Sequence, residues 1–142
     1  MAMILDIADA VRDELNGKVW SMSFTAKRAY KPSFDLPEMA DLHVTVVPKG
    51  LTIAREDRSS YRYDYRVDIG VQQKFEQGAH AELDPLMGLV EEIGDYFRDV
   101  ILETDPEAVC TGVENGPIYA QEHFREKRLF TSILTLGFRL WR

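Results

Sequence analysis

Residues 61–75 read YRYDYRVDIGVQQKF, and this stretch alternates apolar and polar side chains along its length. Successive side chains of a β-strand point to opposite faces, so a period of two predicts a half-buried strand. At about 3.3 Å per residue the strand would reach about 50 Å, far beyond the usual five or six residues. A strand that overruns a small domain favours assembly over catalysis. The apolar set is Tyr61, Tyr63, Tyr65, Val67, Ile69 and Val71, with Phe75 beyond it.

Several shorter strands are predicted around this one. Residues 19–30 place Trp20, Met22 and Phe24 on one side and small polar residues on the other. Residues 43–47 form a β-branched run that ends at the turn signal Pro48-Lys49-Gly50, and residues 51–54 could resume it. Residues 108–113 predict a further short strand. Antiparallel hairpins are the economical way to join such runs.

The C-terminal stretch RLFTSILTLGFRLW, residues 128–141, predicts a final strand that is largely apolar on both faces. Such a strand lies in the centre of a sheet or has one face covered by another chain. One face carries Phe130, Leu134, Leu136, Phe138 and Leu140, and the other carries Leu129, Thr131, Ile133, Thr135 and Trp141.

Two helices are predicted. The first has a helical apolar spacing from Ile4 to Leu15 and ends at Asn16-Gly17. The second is predicted to open at Asp84-Pro85, an N-cap followed by proline, and its apolar stripe runs from Leu86 to Ile101, before Pro106. Its length, about 18–20 residues, would cover a sheet face. The order of elements predicts an α+β fold, with this long helix packed across a mostly antiparallel sheet and an N-terminal helix beside it.

Length, net charge and cysteine content limit the classes of function that fit this sequence. The 142 residues fit a single domain, 1–142, and the net charge of −7 argues against a dedicated nucleic-acid binder. The acidic N-terminal segment does not resemble a signal peptide, and no apolar run approaches the ~20 residues of a membrane span. Cys110 is the only cysteine, so it has no partner for an internal disulfide and suits a reducing compartment.

The search for chemistry gives no catalytic, cofactor or metal site. His43, His80 and His123 lie far apart, with no ligand at metal-binding spacing. Asp64 and Asp68 would lie about 13 Å apart along one strand face, too wide for an acid/base pair. Cys110 reads as a small buried hydrophobe rather than a nucleophile. The sequence therefore predicts a protein that is not an enzyme and has no cofactor.

Charged residues on the long strand allow two interpretations. Arg62, Asp64, Arg66 and Asp68 either form a solvated cross-strand ladder or pair with a partner subunit. Arg55 and Arg58 form a modest basic cluster near the predicted turn together with Arg62 and Arg66. Such a cluster is typical of a soluble surface but is compatible with a phosphate or partner contact. The three tyrosines favour core packing or an interface over a nucleic-acid stacking platform.

Three segments carry a resemblance to a known class of protein. They are the strand YDYRVDIGVQQKF, the helix ELDPLMGLVEEIGDYFRDVIL and the closing stretch EHFREKRLFTSILTLGFRLW. In element order and hydrophobic spacing the chain resembles bacteriophage tail-terminator and tail-completion proteins of the neck, over about residues 44–142. The resemblance does not extend to the first 40 residues, which carry only generic helix and strand signals.

The resemblance implies a single tail-terminator-like domain that forms a homo-oligomeric, six-subunit ring. Such a ring would end the tail tube and dock to the head–tail connector or adaptor protein. DNA would pass through its acidic channel without specific binding, and the protein would belong to the virion after assembly in the host cytoplasm. A head-closure or head–tail adaptor ring, and a small cytosolic dimeric binding module, remain open alternatives.

The candidate interface comes from this sequence alone. Loops at residues 31–41, 49–60 and 112–117 are predicted to contact the tube, the connector or a neighbouring subunit. The candidate subunit-interface residues are Arg62, Asp64, Arg66, Asp68, Arg55 and Arg58.

Overall fold

The computed structural model describes residues 2–30, 41–116, 125 and 128–142. These residues form two helices and six strands. In chain order the elements are α1 (Met3–Asn16), β1 (Ala26–Arg28), β2 (His43–Arg55), β3 (Tyr61–Lys74), α2 (His80–Phe97), β4 (Ile101–Leu102), β5 (Ala108–Asn115) and β6 (Leu129–Trp141). The segments at 31–40 and 117–124, which include the first predicted contact loop, Pro117 and His123, lie outside the described residues.

The strands form one sheet in the order β1-β2-β3-β6-β5-β4. The alternating stretch at residues 61–75 is confirmed as β3, and the apolar C-terminal stretch is confirmed as β6, which lies beside β3 in the interior of the sheet. The β1–β2 pair is parallel, and the other four pairs are antiparallel. The fold is therefore α+β as predicted, with a mixed sheet.

The core lies on one face of this sheet, which we call the inner face. Val46, Ile69 and Leu134 stand in one row across β2, β3 and β6, and all three are buried. Helix α1 packs against β1 and β2 at one edge of the sheet and also contacts β4 from the opposite edge. The sheet is curled around the helices. Helix α2 packs against β5 and β6, so it covers only part of the inner face and shares that face with α1.

An aromatic contact joins the two helices. Tyr96 of α2 donates a hydrogen bond of 2.5 Å from its hydroxyl to Glu14 of α1. This bond raises the pKa of Tyr96 to about 12, with partial burial and the nearby carboxylate adding to the effect. Trp20 packs edge-on against Tyr96 and donates its indole N–H to the Leu15 carbonyl at 2.7 Å.

The strand predicted for residues 19–30 is wrong over most of its length, because only Ala26–Arg28 pairs with β2. Trp20 packs on the helices instead, and Asn16 holds the segment through its side chain. The Asn16 amide accepts the Ala26 N–H at 2.7 Å and donates to the Ala26 carbonyl at 3.1 Å. Side-chain contacts to α1 and α2 thus replace strand pairing.

The predicted turn at Pro48-Lys49-Gly50 is also wrong, because β2 runs through it with a register shift between Pro48 and Gly50. Proline lacks an N–H, so it is tolerated where no strand lies on that side. Strand β1 ends at Arg28, opposite Val46, and Pro48 lies beyond it. The contact loop predicted at 49–60 is therefore mostly strand, and the one at 112–117 is strand as far as Asn115.

Helix α2 begins at His80, four residues before the predicted start, and ends at Phe97, before the predicted end. No side chain caps the N-terminus at Ala79, and Glu82 in the first turn instead binds the segment before the helix. Its carboxylate accepts the backbone N–H groups of Glu76 and Gln77 at 2.9 and 3.1 Å, and these bonds lower the pKa of Glu82. Pro85 lies inside the helix. After α2 the chain forms the short strand β4. This strand was not predicted, because the apolar stripe of the predicted helix extended to Ile101.

Candidate subunit interface

Four of the predicted interface residues lie together on the outer face of the sheet, opposite the helices. We call Arg62, Asp64, Arg66 and Asp68 the charge ladder. Arg139 of β6 stands directly opposite Asp64 and donates its Nε–H to the Asp64 carboxylate at 2.7 Å. This bond raises the pKa of Arg139. Arg62 donates to the second oxygen of the same carboxylate at 3.2 Å, so Asp64 bridges two cations.

The other two residues of the charge ladder, Asp68 and Arg66, differ in whether they form an ion pair. Asp68 accepts the Thr135 hydroxyl at 2.8 Å and forms an ion pair with Lys49 at 3.6 Å. Arg66, which is exposed, has no ion pair to any described residue. Its row across the sheet holds Gly50, Gly137 and Gly112, which leave a shallow trough beside the guanidinium. Two acids are therefore paired within the chain, and one cation is available to a partner.

The other two predicted interface residues lie apart from the charge ladder. Arg55 is at the end of β2, paired with Tyr61, and donates to the Tyr61 hydroxyl at 2.9 Å. Arg58 is exposed in the turn between β2 and β3. The four arginines that suggested one basic cluster thus occupy the inner face, the turn and the outer face. The cluster does not form a single phosphate-binding surface.

The β2–β3 hairpin extends beyond the helices and exposes an apolar surface on the inner face. Leu51 and Ile53 pair with Tyr65 and Tyr63, and directly opposed residues project to the same face. Nevertheless Leu51 is 45% exposed and Ile53 52% exposed. We call Leu51, Ile53 and Tyr61 the hairpin patch.

Cations and an open strand edge border the hairpin patch. The Arg55 guanidinium lies 5.4 Å from the centre of the Tyr61 ring, and that of Arg142 lies 4.5 Å from the Tyr63 ring. Of the described strands, none pairs with the outer edge of β2 from Val47 to Arg55. Exposed edges and apolar surface of this kind are typical of a protein interface.

A groove lies between α2 and the sheet, also on the inner face. Its volume is about 510 Å³, and Gly94 of α2 faces Val113 of β5 and Leu134 of β6 across it. The groove is lined by Met87, Val90, Gly94, Val113 and Leu134, with Glu91, Asp95, Arg98 and Asn115 at its rim. Asn115 already donates to Ser132 and to the Ile133 carbonyl, whereas Glu91 and Asp95 form no ion pair within the described part of the chain. The groove is apolar inside and acidic at its rim.

Among the described residues, the cysteine and the possible metal ligands do not form a reactive site. Burial raises the pKa of the Cys110 thiol, which is only half-buried and donates to the Gly112 carbonyl at 3.6 Å. Across residues 2–30, 41–116, 125 and 128–142, no three His, Cys, Asp or Glu side chains converge on a metal site. Neither α1 nor α2, the two described helices, is long and apolar enough to cross a membrane.

Sequence reasoning found the charge ladder but missed the hairpin patch and the groove. The patch was hidden because Leu51 and Ile53 follow a false turn signal, so they were not aligned with the tyrosines of β3. The groove depends on the approach of Gly94 to two distant strands, and no local pattern reports that. No protein-family model matches this chain, and no curated protein sequence matches it.

Proposed function

We propose that this protein is a structural subunit that assembles with copies of itself into a ring, and that the ring is the tail terminator of a bacteriophage neck. It would end the tail tube and join it to the head connector, with DNA passing through an acidic channel. The protein would act by assembly rather than by catalysis. Six subunits is the expected number, from the resemblance of β3, α2 and β6 to tail-completion proteins.

The observation that carries the proposal is the exposed end of the β2–β3 hairpin. Its strands have 13 and 14 residues, and their apolar side chains continue past the cover of the helices. Burial of such apolar surface stabilises a complex by about 25 cal/mol for each Å², and this favours association. A ring of identical subunits covers surplus edges and faces without leaving any at its ends.

The net charge of −7 also supports a channel for DNA. Like charges keep the phosphate backbone from binding to the wall, so the nucleic acid can slide. The paired acids of the charge ladder and the exposed acids at the groove rim are two places where such a surface could arise. A head-closure or adaptor ring would need the same properties and is the nearest alternative.

A second candidate function is a small dimeric binding module. The groove beside α2 favours it, since ligand sites are mostly apolar clefts with a few polar groups at the rim, and 510 Å³ falls within their usual size. A binding module would take a ligand in that groove with no requirement for a ring.

Tube growth distinguishes the two functions. Tail-tube protein is polymerised with and without this protein, and tube lengths are measured by electron microscopy. A terminator is expected to shorten the tubes in proportion to its concentration and to appear at one end. Unchanged tube lengths, with no density at the ends, would refute the terminator. Ligand screening by thermal shift would then test the binding module.

A further inference from the structure

Two apolar surfaces of the inner face are left uncovered by the described residues, and they have opposite shapes. The hairpin patch is a projecting apolar surface, and the groove beside α2 is a recess with an apolar lining. On β6 Ile53 of the patch aligns with Leu140 and the groove with Leu134, so about 20 Å separate Ile53 from the groove along the strand. A hairpin therefore cannot fill the groove of its own chain.

The two surfaces match in chemistry. Leu51 and Ile53 present branched apolar side chains, and Val90, Val113 and Leu134 line the recess that would receive them. The charges also match, since Arg55 stands beside the patch while Glu91 and Asp95 stand at the groove rim. The one cation of that rim, Arg98, is paired with Asp99 at 3.6 Å. Opposite charges around an apolar centre guide association and fix its register.

We propose that the hairpin patch of one copy docks in the groove of the next copy. This inference rests on the proposed ring function and names the surfaces that would build it. Each subunit would give a hairpin to one neighbour and receive one from the other. Such a head-to-tail contact closes into a ring when its rotation permits, whereas a contact between identical patches would stop at a dimer.

Two variants separate the halves of the contact. The hairpin variant carries Leu51→Asp and Ile53→Asp, which place charge in the apolar recess. The groove variant carries Glu91→Lys and Asp95→Lys, which repel Arg55. All four positions are exposed, so both variants should fold, and circular dichroism checks this. The control is Val109→Asp, an exposed apolar position on the outer face near the other edge of the sheet.

Assembly is measured by light scattering, with tube protein added if the wild type needs it. Each variant alone is expected to weaken self-association by about 30-fold or more, the size of a strong interface contact, and the control is expected to assemble normally. A mixture of the two variants should form a species of two subunits, because one intact hairpin meets one intact groove. It should grow no further.

A cross-link tests the position directly. In a Cys110→Ser background, chains with Ile53→Cys are mixed with chains with Met87→Cys under mild oxidation. The expected product is a disulfide-linked pair containing one chain of each kind. Val109→Cys in place of Ile53→Cys is the matched control and should give no pair.

Each failure has a distinct meaning. If the wild type assembles and either variant assembles equally well, the docking is wrong while the ring stands. If both variants are monomers but their mixture gives no pair, the contact is not head-to-tail and the docking is again wrong. If the wild type stays monomeric at every concentration and with tube protein, both the docking and the ring are wrong.

Discussion

Single residues show where the stability of this fold is concentrated. Leu136 of β6 is fully buried between its partners Val67 of β3 and Val113 of β5. Leu51 lies on the same face of the sheet but is 45% exposed. Substitution by aspartate should therefore abolish folding at Leu136 and leave the stability almost unchanged at Leu51.

Leu136→Asp is expected to abolish folding. It places a carboxylate in the core, where an unpaired charge costs several kcal/mol, comparable to the roughly 5–15 kcal/mol that stabilises a domain. Leu51→Asp is the control and should keep a cooperative urea transition within about 0.5 kcal/mol of the wild type, both measured at a protein concentration where neither self-associates. A cooperative transition for Leu136→Asp would contradict the position of β6 in the core.

Tyr96 should make part of the stability depend on alkaline pH. Its pKa in the folded protein is about 12, above the usual value near 10. A group with a raised folded pKa stabilises the fold fully below the unfolded pKa and loses that contribution as pH rises through the folded pKa. Stability should therefore fall between pH 10 and 12 as the Tyr96 phenolate meets Glu14.

Tyr96→Phe tests this contribution. The variant is expected to lose about 1 kcal/mol at pH 8, because the hydrogen bond to Glu14 is gone, and to show a weaker alkaline loss. Urea unfolding at pH 8, 10 and 11 measures both effects, with the exposed Tyr30→Phe as control. An alkaline loss equal to that of the wild type would show that Tyr96 is not its source.

At the scale of helices and strands, the sequence predicted an element well where its local pattern was clear. Strand β3 was predicted to within one residue because its alternation is unbroken from Tyr61 to Gln72 and apolar character returns at Phe75. The other elements depend on long-range contacts that override local signals. Pro48 is typical of a turn but lies on an open strand edge, and Asp84-Pro85 is typical of a helix start although α2 already begins at His80.

For the candidate site, the sequence predicted which residues share a face but not which residues they pair with. Alternation alone placed Arg62, Asp64, Arg66 and Asp68 on one face. It could not show that Arg139, more than 70 residues away, pairs with Asp64. The chain itself therefore supplies part of the pairing that a neighbouring subunit was predicted to supply, and this favours the solvated ladder for Asp64 and Asp68.

The double variant Asp64→Lys/Asp68→Lys tests the remaining role of the charge ladder. The monomer should stay folded with a loss of about 1–2 kcal/mol, since partly exposed ion pairs contribute little each but Arg62 and Arg139 would then face a cation. If the ladder meets a neighbour, association should weaken, most clearly at low salt.

Glu103→Lys/Glu107→Lys is the matched control, with the same change of charge at two exposed sites flanking β4 and β5. Light scattering of both variants compares their association. Normal assembly of the Asp64/Asp68 variant would show that the charge ladder is a solvated surface and contributes nothing to the interface.

At the scale of the whole molecule, the inner face holds the buried core and, under the proposed function, also the surface for assembly. The helices cover its centre, and the β2–β3 hairpin continues past them with apolar side chains that stay exposed in the described part of the chain. A stable contact between subunits buries on the order of 1,200 Å² or more, so the hairpin patch would be only its centre. The central claim is that copies of this chain complete each other.

The most direct test of that claim is the mass of the purified wild-type protein in solution. Light scattering over a wide range of concentration and salt, alone and with tail-tube protein, gives the number of subunits. The expected result is a closed species of about six subunits, either alone or once tube protein is present. A monomer or dimer that does not change with concentration or tube protein would contradict it.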